Sequence, residues 1–297
     1  MNSLASPPSG NTRATESEHT EIRRTESHLP GSTGDLLFRR SWLPRTSERI
    51  IILVHGYGEH SGRYEHTASD LARASFEVHA YDQRGHGRSG GTRCHVRRFE
   101  HLLDDLEGFV AAVRAERPPL PVTVVGHSMG GLVVAAYASQ RNPKVAGVVA
   151  SAAVLSMPED LSRARVIAIR GLKWLAPRLS LASQLDPKAL SRDPEVVRAY
   201  LEDPLVQQNI TASLASEMLS AMKRTAAAAA AVRVPMLLLH GEDDRICPVA
   251  GSRNFFEQLN VTQRGLHTYP GLRHEIFNEP ERAAVLGDLI GWIRKLR

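Results

Sequence analysis

Short apolar runs alternate with longer amphipathic stretches along most of this chain. The apolar runs are rich in β-branched residues and are bounded by glycine, proline or polar residues, a pattern typical of strands buried in a parallel sheet. Predicted strands cover residues 49–54, 76–81, 121–125, 145–150, 234–239 and 266–269.

Apolar positions recur at helical spacing between these runs. The clearest stripe follows the i, i+3, i+4, i+7 pattern of one helix face, and it comprises Phe99, Leu102, Leu103, Leu106, Phe109, Val110 and Val113. Further helices are predicted over residues 61–74 and 132–140 and at the C-terminal end. The alternation of strands and helices predicts the α/β class, with a mostly parallel central sheet flanked by helices.

Two regions depart from this alternation. Residues 1–33 are rich in Ser, Thr, Pro, Glu and Arg and hold few apolar groups, so we expect a disordered polar tail. Residues 153–225 hold no strand-like run, but several prolines among helical patches. We therefore predict a helical cap, inserted between two strands of a core that comprises residues 34–152 and 226–297.

The strongest chemical signal is the motif Gly-x-Ser-x-Gly at residues 126–130. It follows a predicted strand and opens a predicted helix, which is the setting of the strained turn called a nucleophile elbow. At such a turn the serine hydroxyl stands beside a helix N-terminus, where the dipole and free N–H groups favour negative charge. The motif predicts Ser128 as a nucleophile and, with it, the α/β-hydrolase fold.

A serine hydroxyl needs a base, and the base needs an acid that orients it. In the α/β-hydrolase fold the acid follows the serine and the histidine comes last. Three carboxylates, Glu242, Asp243 and Asp244, follow a predicted strand; we choose Asp244, with Asp243 as the alternative. His274 lies between the last predicted strand and the final helix, so we predict it as the base rather than His267, which lies within that strand.

Acyl transfer also needs N–H donors for the oxyanion of the tetrahedral intermediate. The backbone N–H of Met129, directly after the nucleophile, is predicted as one donor, and that of Tyr57, in the loop after an early strand, as the other. The chain has no H-E-x-x-H motif, phosphate-binding loop or dinucleotide fingerprint. We therefore expect neither a metal nor a cofactor.

Charge and cysteine content narrow the possible partners and the cellular compartment of the protein. The 37 basic and 32 acidic residues give a formal charge of +5, but no basic run with interleaved aromatic residues suggests a nucleic-acid partner. Cys94 and Cys247 fit no zinc spacing and indicate free thiols, with one disulfide left open. No apolar run is long enough to span a membrane, and the N-terminal residues lack the apolar region of a secretion signal. We expect a cytoplasmic protein and leave peripheral membrane contact and the oligomeric state open.

Several ordered motifs resemble those of the monoacylglycerol lipase family, and the likeness to its bacterial members is closest. They are HGYGEHSGRY at residues 55–64, DQRGHGRSGG at 82–91, GHSMGG at 126–131, HGEDDRICP at 240–248 and YPGLRHEIFNEPER at 269–282. The resemblance implies that Asp244 is the acid and His274 the base. It also implies an acylglycerol substrate, hydrolysed to glycerol and a fatty acid without a cofactor, and a cap that covers an acyl tunnel. Tyr57 departs from the family, whose members more often have Ala or Leu there, and this departure concerns the width of the pocket.

Alternatives remain open at the level of the substrate. Lysophospholipids and short-chain esters would be cleaved by the same residues. A non-catalytic binding protein would usually lack part of this machinery, and a dehalogenase would carry Asp in place of Ser128. In the cap, residues 164–177 mix basic and apolar side chains with Trp174, which is typical of a helix at a lipid interface and equally of a helix that packs on the core.

Overall fold

The computed structural model describes residues 21–117, 119–157, 162–183 and 185–296, and an eight-stranded sheet lies at its centre. In chain order the strands are β1 (Arg23–Pro30), β2 (Leu36–Leu43), β3 (Arg49–Val54), β4 (Phe76–Tyr81), β5 (Val122–His127), β6 (Gly147–Ser151), β7 (Ser180–Ala182), β8 (Asn209–Thr211), β9 (Met236–Gly241) and β10 (Arg264–Tyr269). The central sheet has the order β1-β2-β4-β3-β5-β6-β9-β10. Its pairings from β4 to β10 are parallel, whereas β1 and β2 pair antiparallel. The prediction of a mostly parallel sheet is confirmed.

Helices cover both faces of this sheet. In chain order they are α1 (Glu65–Arg73), α2 (Glu100–Glu116), α3 (Met129–Gln140), α4 (Arg163–Leu175), α5 (Pro194–Glu202), α6 (Ala212–Ala227), α7 (Val249–Gln258) and α8 (Arg282–Arg294). On β3, Ile50 packs in the apolar cluster that includes α2 and α3, whereas its neighbour Ile51 packs in the cluster that includes α1 and α8. The strand is therefore buried on both sides. No helix in the described ranges combines the length and the apolar content that a bilayer-spanning helix needs.

The N-terminal region differs from its prediction. The tail predicted over residues 1–33 is wrong for residues 23–30, which form β1 and pair with β2 along their whole length. Most β1 side chains are exposed, so backbone hydrogen bonds rather than apolar burial hold this strand, and its polar sequence gives no strand signal. Beyond β1, the N–H of Ser32 donates to the Asp105 carboxylate at 2.7 Å. Residues 1–20 lie outside the described part of the chain.

The insertion between β6 and β9 also differs in part from its prediction. Helices α4 and α5 lie there as expected, but β7 and β8 form an antiparallel ladder with Leu181 opposite Ile210, so the prediction that residues 153–225 hold no strand is wrong. Three-residue strands are too short to show an alternating pattern. Helix α6 follows, and its buried Leu214 and Ala221 join the apolar cluster of α2 and α3. The outer limits of the cap stay a prediction.

Candidate active site

Ser128 stands at the turn between β5 and α3 in a backbone conformation that is rare for serine. Its φ of 55° and ψ of −116° carry strain of order 1–3 kcal/mol, which the surrounding structure must hold. Close packing does this: a Cβ on Gly130 would lie 2.1 Å from the carbonyl oxygen of Val54, and one on Gly126 would lie 2.2 Å from the carbonyl oxygen of Gly130. Only glycine fits at either position, so the sequence motif fixes the turn.

The predicted acid and base meet next to one another. Nδ1 of His274 lies 2.8 Å from Oδ2 of Asp244, so the ring N–H donates to the carboxylate. The other carboxylate oxygen accepts the backbone N–H groups of Ile246 (2.8 Å) and Cys247 (2.9 Å). Asp243, the alternative acid, is exposed. The geometry favours Asp244 because its carboxylate alone of the two contacts the imidazole.

The other acid and base candidates from the sequence make contacts elsewhere. Glu242 forms an ion pair with Arg253 on α7 at 2.8 Å. His267 lies 3.3 Å from the carboxylate of Asp288 on α8, and its side chain is 41% exposed. Neither belongs to the group around Asp244.

His240 is a residue that the sequence analysis missed. Its Nε2 lies 3.1 Å from Oδ2 of Asp244 and 2.8 Å from the carbonyl oxygen of Cys247, and its Nδ1 lies 2.8 Å from Oγ of Ser252. Because both partners of Nε2 are acceptors, this nitrogen carries a proton and donates it. His240 is fully buried and completes the donors around Asp244. The signal that could have found it is a histidine at the end of an apolar strand, directly before the acidic loop.

Burial and neighbouring charges together set the pKa values of the buried groups around Asp244. Burial by itself lowers the pKa of His274, but the charge and hydrogen bond of Asp244, together with the charges of Glu275 and Glu59, outweigh burial, so this pKa is raised above its usual value. Burial favours a higher pKa for Asp244, and the neighbouring His274 and His240 more than offset it, so the pKa lies well below the usual range. The ring of His127 lies 4.7 Å from that of His274, and burial together with His274 lowers its pKa to about 4. At neutral pH the site therefore holds an ionised acid and a neutral His127.

Ser128 and His274 border the same cavity. Within the described ranges no hydrogen bond joins the Ser128 hydroxyl to the imidazole. Such contacts are often long in free enzymes and tighten when substrate binds. The structure thus brings acid and base into contact and places the serine in the cavity that His274 lines.

The loop that carries Tyr57 lies against the serine. A Cβ on Gly56 would lie 3.1 Å from the Cβ of Ser128. Met129 opens α3, so its N–H has no partner within the helix, and in the described part of the chain neither this N–H nor that of Tyr57 donates to another protein group. Both N–H groups are thus available next to the nucleophile.

Residues 82–91 hold this loop in place. The backbone N–H of Gln83 donates to Nε2 of His55 (2.8 Å), and the Gln83 side-chain amide donates to the His55 carbonyl oxygen (2.6 Å). The Asp82 carboxylate accepts the backbone N–H (2.7 Å) and the hydroxyl (2.6 Å) of Ser61. The glycine-rich segment therefore positions the loop of residues 55–61, which carries Tyr57 and which we call the donor loop.

A cavity of about 760 Å³ lies between the core and the cap. Its polar wall is close to the nucleophile: Arg63 donates to Glu59 (3.1 Å) and Glu275 (2.6 Å), and Glu59 accepts the N–H of Gly56 (2.5 Å). Its apolar wall comprises Ala168, Ile169, Leu172, Leu181, Leu185, Ile210, Met218, Leu219 and Met222. The cavity is therefore polar at the reacting end and apolar along the cap.

One part of the cap, which we call the cap strap (residues 186–207), is fastened to the loops of the site. At one end the N–H of Gln207 donates to the carbonyl oxygen of Gly58 at 2.7 Å. At the other end the N–H of Glu275 donates to the carbonyl oxygen of Leu190 at 2.8 Å. The cap strap thus contacts both the donor loop and the loop of residues 270–275, which carries His274 and which we call the histidine loop.

Metal-ligating side chains come together once in the described residues. Asp244, Cys247 and His274 each offer a ligand atom, and the three atoms lie within 4.8 Å of one another. Cys94 and Cys247 are both free and buried. The absence of a resident metal or cofactor stays a prediction from the sequence.

The turn between β5 and α3 presents a strained serine in the cavity that His274 lines, and His274 contacts Asp244. In a mostly parallel sheet, this arrangement defines a serine hydrolase of the α/β-hydrolase fold. A family model described as serine aminopeptidase, S33, matches residues 45–281. The chain belongs to this class and, within it, to the monoacylglycerol lipase family.

Three relatives carry that assignment. The chain is 39% identical over 272 residues to a monoacylglycerol lipase of Mycolicibacterium smegmatis, which covers 91% of this chain and 97% of that protein. It is 36% identical over 255 residues to the monoglyceride lipase of Homo sapiens, covering 85% and 84% of the two chains. The crystal structure of Paleococcus ferrophilus monoacylglycerol lipase has 35% identity and a TM-score of 0.77, over 92% of this chain and 98% of that chain. The family predicted from the motifs and the α/β-hydrolase fold are both confirmed.

Proposed function

We propose that this protein hydrolyses the ester bond of monoacylglycerols, which yields glycerol and a free fatty acid. The observation that carries the proposal is the amphipathic cavity at Ser128. One end offers charged and hydrogen-bonding groups to a glycerol head, and the long apolar wall suits a single acyl chain. The names of the relatives support the same substrate class.

In the proposed mechanism Ser128 attacks the ester carbonyl while Nε2 of His274 takes the hydroxyl proton. Asp244 holds the imidazole through Nδ1 and stabilises the imidazolium that forms. The N–H groups of Tyr57 and Met129 donate to the oxyanion. The imidazolium then returns its proton to the leaving glycerol oxygen, which leaves an acyl-serine. A water molecule, deprotonated by His274, releases the fatty acid and restores the serine.

Helix α4 supports a further proposal, that the cap contacts lipid surfaces. No α4 residue is buried, and Ile167, Trp174 and Leu175 are 70%, 86% and 86% exposed. Basic residues lie among them on the same helix: Arg163, Arg165, Arg170 and Lys173. An exposed helix that combines tryptophan, aliphatic and cationic side chains is suited to the surface of a membrane or micelle. We therefore propose that the protein is cytoplasmic and contacts membranes peripherally.

A second candidate activity is the hydrolysis of lysophospholipids. Arg165 and Arg245 both line the cavity, and within the described ranges neither forms an ion pair. Arginine binds phosphate well, because its fork of donors matches the oxygens. These side chains would favour a substrate whose head group carries a phosphate.

One assay separates these possibilities. Product release is measured for a monoacylglycerol, lysophosphatidylcholine and p-nitrophenyl butyrate, with Ser128→Ala as the control. We expect monoacylglycerol to have the highest kcat/KM and Ser128→Ala to lose hydrolysis and fluorophosphonate labelling while remaining folded. Preference for lysophosphatidylcholine, abolished in Arg245→Ala, would support the second candidate instead. Labelling that survives in Ser128→Ala would contradict the proposed nucleophile.

A further inference from the structure

We propose that Asp244, His274 and Cys247 form an inhibitory binding site for a thiophilic divalent cation such as Zn²⁺. This inference rests on the proposed function only where it concerns inhibition; the binding site itself is independent of it. Within the described residues, no other group of three side chains brings metal-ligand atoms this close together.

The donor set matches zinc. Zinc binds thiolate, imidazole and carboxylate, with bonds of about 2.3, 2.0–2.1 and 2.0–2.2 Å, so two ligands on one tetrahedral ion lie roughly 3.5 Å apart. The three atoms here lie within 4.8 Å of one another, so the widest pair must approach by up to about 1.3 Å to reach this spacing. If Nδ1 of His274 is a ligand, its 2.8 Å contact with Asp244 must also widen. All three residues are buried, with Cys247 3% and His274 2% exposed.

The chain places the thiol there through backbone contacts. Cys247 follows Asp244 by three residues, and its N–H donates to the Asp244 carboxylate at 2.9 Å, so the loop curls around that carboxylate. Cys247, His274 and Ser128 all line the cavity, so a cation in it can reach the thiol and the imidazole. Asp244 contacts that imidazole at 2.8 Å. A water molecule or the Ser128 hydroxyl is available as the fourth ligand of a tetrahedral ion.

Binding removes the base whichever ring nitrogen is used. The Cys247 thiol releases its proton to solvent and binds as thiolate. If the cation takes Nδ1 of His274, the single imidazole proton moves to Nε2, which then has no lone pair for the serine proton. If the cation takes Nε2, that lone pair is occupied directly. In both cases the general base is lost while the cation is bound.

Cys94 provides a matched control. It is equally buried, and its sulfur lies 3.6 Å from Nε2 of His86, but no carboxylate joins this thiol–imidazole pair among the described residues. Cys94→Ser should therefore respond to zinc like the wild type.

The inhibition experiment uses the full chain and compares each variant with its own zinc-free rate. Loss of a group that only hydrogen-bonds a metal ligand costs roughly 10–100-fold in affinity, so Cys247→Ala and Cys247→Ser should each need at least about tenfold more Zn²⁺ for half inhibition. A chelator should restore the wild-type rate, and Mg²⁺ should not inhibit. Equal zinc sensitivity in wild type and both Cys247 variants would overturn the proposal, as would a wild type that zinc does not inhibit.

Direct binding is tested with Co²⁺, whose bond to a thiolate gives a charge-transfer absorption. We expect this absorption in wild type, Cys94→Ser and the inactive Ser128→Ala, and its loss in both Cys247 variants. Circular dichroism shows whether each variant is folded. Because Ser128→Ala needs no activity for this readout, failure of the metal site is distinguishable from failure of the proposed hydrolysis. A wild type without the absorption, or one that persists in the Cys247 variants, would exclude Cys247 as a ligand.

Discussion

The loops that carry Asp244 and His274 and the cap helix α4 border the same cavity, and they are held in place to different degrees. Asp244 and His274 are 8% and 2% exposed, and two backbone N–H groups and two imidazoles surround the carboxylate. By contrast, no residue of α4 is buried, and an ion pair between Lys173 and Glu217 links the helix to α6.

This difference separates the groups that carry out the reaction from the groups that bind the substrate. Proton transfer and oxyanion binding need groups that are held to about 0.5 Å, whereas an acyl chain is bound by apolar contacts that have no directional requirement. We therefore expect substitutions in the loops to change turnover by orders of magnitude. Substitutions on the outer surface of α4 should change access to lipid by small factors.

The largest effects should come from the acid–base pair. His274→Ala and Asp244→Asn should each reduce kcat by at least about 10³-fold, because one removes the base and the other its orienting charge. The measurement is steady-state hydrolysis of a soluble ester, with folding checked by circular dichroism.

Asp243→Asn is the matched control for the acid. The Asp243 side chain lies in the same loop as Asp244 and is exposed, so the Asp243→Asn variant should retain nearly full activity. An active Asp244→Asn together with an inactive Asp243→Asn would mean that the acid has been assigned to the wrong residue.

Substitution of His240 should have an intermediate effect. His240→Leu removes a donor from a charged acceptor, worth about 1.5–3 kcal/mol, so we expect kcat to fall by roughly 10- to 100-fold. His240→Gln can still donate an N–H and should recover part of this loss. Equal losses in both variants, with unchanged pH profiles, would indicate a packing role alone.

The pH profile tests the electrostatics of the rigid loops. The base must be neutral to act, and Asp244 raises the pKa of His274, so kcat/KM should be highest above this pKa and fall as the pH decreases through it. An ordinary histidine titrates near about 6.5, and the acid limb of the wild type should lie above that value. In Asp244→Asn the acid limb of the residual activity should move to lower pH. Coincident limbs would contradict the assigned coupling.

The smallest effect should come from the exposed helix. Trp174→Ala should lower activity on vesicle-bound or emulsified monoacylglycerol by about two- to fivefold and leave the hydrolysis of a soluble short-chain ester unchanged, because Trp174 would act at the lipid surface. Trp174→Phe, which keeps an apolar ring, should lie between the two. An equal loss on both substrates would indicate that Trp174 supports the cap rather than the interface.

The parts of the fold that sequence predicts well are those where burial imposes a pattern. The apolar runs of β3 and β5 predict buried strands directly, and the glycines around Ser128 are required because a Cβ at either position would lie less than 2.5 Å from a backbone oxygen. Strand β1 gives no such pattern because backbone pairing and surface ion pairs, such as that of Glu26 with Arg40, hold its polar residues. Strand β2 is also missed, since it contains Arg39, which is buried in an ion pair with Glu116 and a contact with His79.

The site shows the same division. Ser128, Asp244 and His274 follow from motif and order, because their chemistry restricts residue type and position. His240 could not be ranked by this reasoning, since its role depends on a contact with a carboxylate four residues away that is visible only in three dimensions. The β7–β8 ladder of the cap is likewise a tertiary feature, with pairing partners nearly thirty residues apart.

The two ends of the cap strap have a consequence for the timing of the reaction. If the whole cap rose as one body, the bonds from Gln207 to Gly58 and from Glu275 to Leu190 would break, and each of the two loops would lose a contact with the cap. If α4 alone swings aside, those bonds survive. The contacts between the cap and these two loops then persist while the cavity is open, so a lipid can enter without displacing the loops that carry Tyr57 and His274.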